Sequence, residues 1–273
     1  MMDHLVREEI RKFLMEDLGY GDITSQAVCG DKKMKANILA KEDLLLSGVH
    51  EAGIVFEEMD VSWKSDHIAG QWIREGTIIM VVQGLARNVL AAERLALNIL
   101  MRMSGIATEV NKMVKLSGDT KVAATRKTTP GFRYFEKKAV VDGGGDPHRY
   151  RLDDMILVKD NHIRVAGGLE EAITMVKKLS IYKKIEVEVE SYEQAIKAAE
   201  MGVDIIMLDN FTPSQTKSAY EAIKDIYPHI IVEISGNITR ENIADYAPNA
   251  DVISSGFITH SVRAADVSMK VIE

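Results

Sequence analysis

Arg126, Lys127, His148, Arg149 and Lys159 all fall between residues 122 and 162, and each stands just after a short apolar run or a glycine-rich turn. Guanidinium and ammonium groups converging from several segments suit an anion that carries more than one negative group, since arginine grips carboxylate and phosphate with paired donors. A solvated basic loop is the plain alternative. Position favours the pocket: Arg126-Lys127 follow the apolar run 122–125 and Lys159 follows 155–158, where buried strands would end.

Acidic groups form a second set. Glu186, Glu188 and Glu190 alternate with Val187 and Val189, so in a strand the three carboxylates share one face. If apolar helices cover the valine face, the glutamates point inward, where charge is tolerated only when paired. Arg126, Lys127 and Lys159 would supply cations, and Glu188 with Asp209 could share a magnesium ion through hard oxygen donors. An inward salt-bridge layer without any ligand fits that pattern as well.

Ser235-Gly236-Asn237 and Ser255-Gly256 each follow an apolar run, and backbone N–H groups at such turns can cradle a phosphate. Gly143-Gly144-Gly145 lacks the Gly-Lys-Ser/Thr ending of a phosphate loop, so its glycines are read as positions of close approach or positive φ. His148 and His162 have no zinc-type spacing, Cys29 reads as a small core residue, and His260-Ser261 reads equally as a helix cap or a ligand contact.

The elements that must position these groups follow from periodicity. Beyond residue 118, apolar runs recur at 122–125, 155–158, 185–189, 203–208, 230–234 and 251–254, most separated by helix-like segments. That rhythm predicts βα units of a parallel α/β barrel, whose chemistry lies at the carboxyl ends of the strands. Upstream, helical spacing predicts an amphipathic helix over 4–18, a turn over 19–25, a helix over 51–59, and β-like runs at 35–39, 61–64 and 77–83. A helix over 87–103 is expected to break at Ser104-Gly105 before another over 106–116. The N-terminal part is thus an α+β module without a catalytic constellation of its own.

Composition excludes several classes. The chain has 273 residues, 46% hydrophobic, with a formal net charge of −7, which argues against nucleic acid as a partner and sets the local cations apart. One cysteine cannot form an intrachain disulfide, and no basic-then-apolar leader or run of about 18 apolar residues appears. Cytoplasmic location is expected, with no membrane association.

Longer motifs then carry a resemblance. Thr125-Arg126-Lys127-Thr128-Thr129-Pro130-Gly131, GGGDPHR at 143–149, LVKDNHI at 157–163, EVEVES at 186–191, LDN at 208–210 and THSVRAAD at 259–266 resemble the quinolinate phosphoribosyltransferase family. GYGDIT near the start and AERLALNIL followed by MSGIAT extend the likeness over nearly the whole chain. The resemblance implies an N-terminal α/β sandwich over 1–104, joined by a closing strand within 262–273, and an incomplete parallel α/β barrel over 105–261. It implies decarboxylating transfer of a phosphoribosyl group from phosphoribosyl pyrophosphate to quinolinate, with Mg2+ as cofactor. It further implies a homodimer, possibly part of a higher oligomer, in which Arg94 reaches the partner's site. By carry-over, Arg126, Lys127, His148 and Arg149 hold the two quinolinate carboxylates. Lys159 meets the sugar-phosphate substrate, Glu188 and Asp209 take its ribose hydroxyls and magnesium, and the turns at Ser235-Gly236-Asn237 and Ser255-Gly256 take its 5′-phosphate.

Two positions depart from the family pattern: Pro147 stands where many relatives have Asn, and Asn237 where a further Gly is common. Other readings of the same residues are a phosphoribosyltransferase acting on nicotinate, which needs only one carboxylate clamp, a Schiff-base lyase using Lys159, and a binding protein without chemistry.

Overall fold

The structure, a computed structural model, describes residues 2–272. Its elements in chain order begin with α1 (Met2–Leu18), α2 (Ile23–Cys29), β1 (Lys33–Ala40), β2 (Leu44–Leu45), α3 (Val49–Glu58), β3 (Ser62–Lys64), β4 (Trp72–Ile73), β5 (Ile78–Leu85) and α4 (Ala86–Ser117). They continue with β6 (Lys121–Ala123), α5 (Arg133–Asp142), β7 (Ile156–Val158), α6 (Asp160–Ala166), α7 (Leu169–Lys177), β8 (Ile185–Val189), α8 (Tyr192–Glu200) and β9 (Ile205–Asp209). The chain closes with α9 (Pro213–Ile226), β10 (Ile231–Ser235), α10 (Ile243–Tyr246), β11 (Val252–Ser254), α11 (Phe257–His260) and β12 (Val267–Val271). Contacts group the chain into two compact units. The first comprises residues up to Glu109, Pro130–Gly144 and the segment from Val262; the second comprises Val110–Thr129 and Gly145–Ser261.

The first unit is built on an antiparallel sheet of order β12-β1-β5-β3. In β1, Met34, Ala36, Ile38 and Ala40 alternate inward and form one buried face, as a half-buried strand requires. The closing segment forms the strand that the resemblance implied, with β12 pairing antiparallel to β1. Where the sequence suggested a turn over 19–25, helix α2 already starts at Ile23. Asp22 caps it by accepting the Thr24 and Ser25 N–H groups, both at 3.0 Å.

The expected break at Ser104-Gly105 is absent, and α4 runs unbroken. Both residues serve packing instead. Ser104 Oγ accepts the Ser47 N–H at 3.1 Å and donates to the Ser47 carbonyl at 3.0 Å. A Cβ on Gly105 would lie 2.3 Å from the Arg263 carbonyl oxygen, so glycine is there to let the returning chain approach the helix. Gly105→Ala would gain about 1 kcal/mol of helix propensity. Overlap with a backbone atom that cannot swing aside outweighs it, and a net loss of about 1–3 kcal/mol is expected from a shifted denaturation midpoint.

Residues 130–144 join the first unit through aromatic packing. Phe132 and Phe135 stack at 4.6 Å between centroids, and Phe13 of α1 tilts against them at 5.9 and 5.8 Å. Phe135, Ala139 and Val140 of α5 are fully buried. The sequence reading, which divides the chain at 104/105 and 261/262, has no periodic signal that could register this insertion.

The second unit carries a parallel sheet of order β6-β11-β10-β9-β8-β7, with all six anticipated strands present. The first two strands in sequence are its two edges, so the barrel is incomplete. Asp146, ahead of β7, occupies the edge of β6: its N–H donates to the Val122 carbonyl at 2.8 Å and its carbonyl accepts the Ala124 N–H at 2.9 Å. Outward residues Val187, Val189, Ile206, Leu208, Val232 and Ile234 are fully buried, as strands covered by helices demand.

Candidate active site

At the carboxyl ends of these strands lies a cavity of about 380 Å³, entirely within the second unit. Register explains its acidic wall. Glu188 of β8 and Glu233 of β10 both face Met207 of β9, and one step further Asp209 of β9 faces Ser235 of β10; all five line the cavity. Glu186 lies two residues before Glu188, so it shares that face one layer deeper, and it is fully buried. Glu190 differs from expectation. It lies past the end of β8, is exposed and does not line the cavity, because the strand has already turned toward the Ser191 cap of α8.

The cations arrive from three loops. Thr125, Arg126 and Lys127 follow β6, His148 and Arg149 follow the Asp146 bridge, and Lys159 follows β7; all line the cavity. Lys159 Nζ is hydrogen-bonded to Glu188 Oε2, which answers the need of that inward carboxylate for a cation. Arg126 and Lys127 are exposed, and among the described residues neither has an acidic group within ion-pair distance. Arg149 is 9% exposed, and burial followed by the repulsion of Arg126 pulls its guanidinium below the ordinary value. These are cations held next to one another in a partly dry site, an arrangement that an arriving anion relieves.

His148 is the basic group that reaches the buried glutamates. Its backbone has φ +50°, in the left-handed region, and its N–H donates to Asp146 Oδ1 at 2.7 Å across Pro147. Its Nε2 stands 3.3 Å from Glu186 Oε2 and 3.5 Å from Glu233 Oε2. Burial pulls the imidazole down, but hydrogen bonding to the two glutamates outweighs it and pushes the pKa up to about 10. A charged ring would carry hydrogen on both nitrogens, whereas the Arg149 N–H is directed at Nδ1 at 2.8 Å and requires a lone pair there. The proton that the cluster holds so firmly therefore sits on Glu186, which burial and neighbouring Glu233 raise, while the ring keeps hydrogen on Nε2 and a lone pair on Nδ1.

Glu233 was not among the residues singled out from the sequence. The same two-residue spacing that flagged Glu186 and Glu188 would have found it, since Glu233 precedes Ser235 in an otherwise apolar strand. Of the two expected phosphate turns, Ser235 faces the cavity, and Ser254 lines it where Ser255 was named. Ser255 is buried and its hydroxyl donates to the Ile238 carbonyl at 2.5 Å. Gly256, at the start of α11, has the Lys127 stem and the His260 ring at its shoulder, each 2.9 Å from where a Cβ would stand.

Gly236 has φ +99°, and a Cβ there would meet Asn210 Oδ1 at 2.3 Å, so this turn needs glycine. Asn237 follows at φ +51°, a conformation asparagine tolerates better than most side chains, so its departure from Gly leaves the turn intact. The remaining groups are structural. His162 Nδ1 accepts the Lys159 N–H at 2.9 Å at the start of α6, Gly144 takes φ +91°, and Cys29 is buried. Arg94 is exposed on α4 in the first unit and does not line the cavity.

Comparison with known proteins agrees with this layout. Residues 22–104 match the family model for the quinolinate phosphoribosyl transferase N-terminal domain, and residues 106–270 match that for the C-terminal domain. A protein of Archaeoglobus fulgidus named "Probable nicotinate-nucleotide pyrophosphorylase [carboxylating]" is 48% identical over 261 residues, covering 93% of this chain and 99% of that one. The crystal structure of NadC from Streptococcus pyogenes superimposes with a TM-score of 0.93 at 36% identity, covering 100% of this chain and 99% of that one. The nicotinate-nucleotide pyrophosphorylase of Francisella tularensis gives 0.92 at 38% identity, covering 98% of this chain and 96% of that one. Cations and carboxylates brought together by six parallel strands, in a chain matched almost end to end, place this protein in the quinolinate phosphoribosyltransferase family.

Proposed function

We propose that the chain transfers the phosphoribosyl group of phosphoribosyl pyrophosphate to quinolinate with loss of carbon dioxide, giving nicotinate mononucleotide and pyrophosphate for NAD biosynthesis. One observation supports this above others: Arg126, Lys127, Arg149 and Lys159 share one cavity with Glu188 and Asp209. A pyridine dicarboxylate needs more than one cationic clamp, and a ribose with developing positive charge needs a carboxylate wall. Arg126, Lys127 and Arg149 hold the carboxylates, while Lys159 and the Ser235 turn meet the sugar-phosphate. Glu188 and Asp209 face the ribose and offset the charge that builds on its anomeric carbon.

The pyridine nitrogen attacks that carbon and pyrophosphate leaves. The ring nitrogen, now positive, stabilises the carbanion left when carbon dioxide departs, and a proton completes nicotinate mononucleotide. No protein nucleophile is needed, so positioning and electrostatics carry the catalysis. Lys159 is ill suited to Schiff-base chemistry in any case, because its Nζ is already engaged by Glu188.

Magnesium fits the donors present. Asp209 and Glu188 offer hard oxygens from neighbouring strands, and Asp209 Oδ2 is already oriented by Asn210 Nδ2 at 2.7 Å. When bound, the ion would take up charge on the leaving pyrophosphate.

Arg94, exposed on α4, is proposed to complete the site of a second copy in a homodimer. Mixing inactive Arg94→Ala with inactive Lys159→Ala subunits should then restore activity, because each hybrid retains one intact site. Hybrids that stay inactive would count against a shared site. Among the described residues no helix is long and apolar enough to cross a membrane, and operation in the cytoplasm is part of the proposal. The direct test combines protein, quinolinate, phosphoribosyl pyrophosphate and magnesium and follows nicotinate mononucleotide. Equal or better turnover of nicotinate would overturn the choice of substrate.

A further inference from the structure

Glu186 and Glu233 pose an electrostatic problem, for they put two buried carboxyl groups, of which only one carries the cluster's proton, beneath a pocket proposed to take a dianion. Both are buried, at 0% and 2% exposure; among the described residues Glu186 Oε1 and Glu233 Oε1 have no hydrogen-bond partner, and the Oε2 atoms of the two face His148 Nε2 at 3.3 and 3.5 Å. Such burial opposes both folding and anion binding unless the groups hold something in place. What they share is His148 Nε2.

His148 in turn holds Arg149. With its ring Nε2–H turned down to the two glutamates, Nδ1 faces the Arg149 N–H at 2.8 Å. That contact, with the His148 N–H on Asp146 at 2.7 Å, closes a left-handed turn that a non-glycine residue adopts only under constraint. Arg149 leaves this turn directly into the cavity.

We infer that Glu186 and Glu233 are positioning residues for quinolinate, clamping the His148 ring so that it fixes the Arg149 backbone and aims the guanidinium at a substrate carboxylate. The inference rests on the proposed reaction and deepens it: Glu186 lies a layer beneath the cavity, and Glu233, on its wall, acts through His148. A divalent ion held by His148, Glu186 and Glu233 is the rival account, because their ligand atoms lie within 4.8 Å of one another. The ring argues against it. A metal on Nε2 calls for hydrogen on Nδ1 and an acceptor facing it, but the neighbour is an N–H donor.

The test measures KM for each substrate and the melting temperature of wild type, Glu233→Ala, Glu233→Gln, Glu186→Gln, His148→Ala and the Glu233→Ala/His148→Ala pair. Glu233→Ala should raise KM for quinolinate about tenfold, the loss of one buried hydrogen-bonded contact. KM for phosphoribosyl pyrophosphate should stay within about twofold. Glutamine, which keeps an acceptor, should recover most of the loss at either position, and the isosteric variants serve if alanine impairs folding. The double variant should be no worse than His148→Ala alone.

Unchanged KM for quinolinate would overturn the inference, as would parallel rises in both KM values with a lowered melting temperature, or additive effects in the double variant. Stoichiometric transition metal retained by the purified protein would replace it with the metal account. If wild type itself releases no pyrophosphate, the proposed function fails. An active wild type with indifferent glutamate variants sinks only this inference.

Discussion

Arg149→Ala is expected to lower kcat/KM for quinolinate about 100-fold, from roughly 3 kcal/mol of lost interaction. The size follows from where the group sits. At 9% exposure its guanidinium has already lost most of its water, and Arg126 repels it further, so a carboxylate arriving in the cavity meets a donor with little competing solvation. A paired contact to a charged group in such a place is worth more than one on the surface. Arg149→Lys should recover only a small part, because a point charge on a flexible stem cannot offer two parallel donors. Steady-state kinetics against quinolinate decide the matter, and a variant close to wild type would remove Arg149 from the substrate site.

Lys159→Ala is the second large effect, with an expected loss on the order of 100-fold in kcat/KM for phosphoribosyl pyrophosphate. Two consequences combine: the substrate loses a cation, and Glu188 is left as an unpaired carboxylate facing a polyanion. Glu188 is the more buried partner, at 12% side-chain exposure against 41% for Lys159. Solvent at the lysine end limits what the pair contributes to folding, so the melting temperature should fall little while activity collapses. Lys159→Ala/Glu188→Gln should regain any lost stability without regaining turnover. If the double variant recovers activity, Lys159 serves only to neutralise Glu188 and does not meet substrate.

Much of this site was legible in the chain. The six apolar runs place the strands, and the polar residues after them mark one end of the barrel, because strand direction and side-chain alternation are local properties. Glu186 and Glu188 two residues apart had to face inward together. Arg126, Lys127, Arg149 and Lys159 all reach the same cavity. The limits of local reasoning appear at Glu190, where alternation was carried one residue past the strand, and at Ser104-Gly105, where a breaker motif sits inside α4.

The sequence by itself determined the alternating pattern, the strand ends that carry charge, and the motifs that mark the family. Tertiary structure decided which of those groups meet. Gly105 is legible as a packing residue only once the Arg263 carbonyl lies against it, and residues 130–144 join the first unit through distant partners such as Phe13, Ser47 and Arg102. Glu186 and Glu233 find their common partner in His148, which comes from a loop far from either strand in sequence. Periodicity records how a segment meets water and core, whereas the identity of a buried group's partner depends on contacts between distant segments that no local spacing encodes.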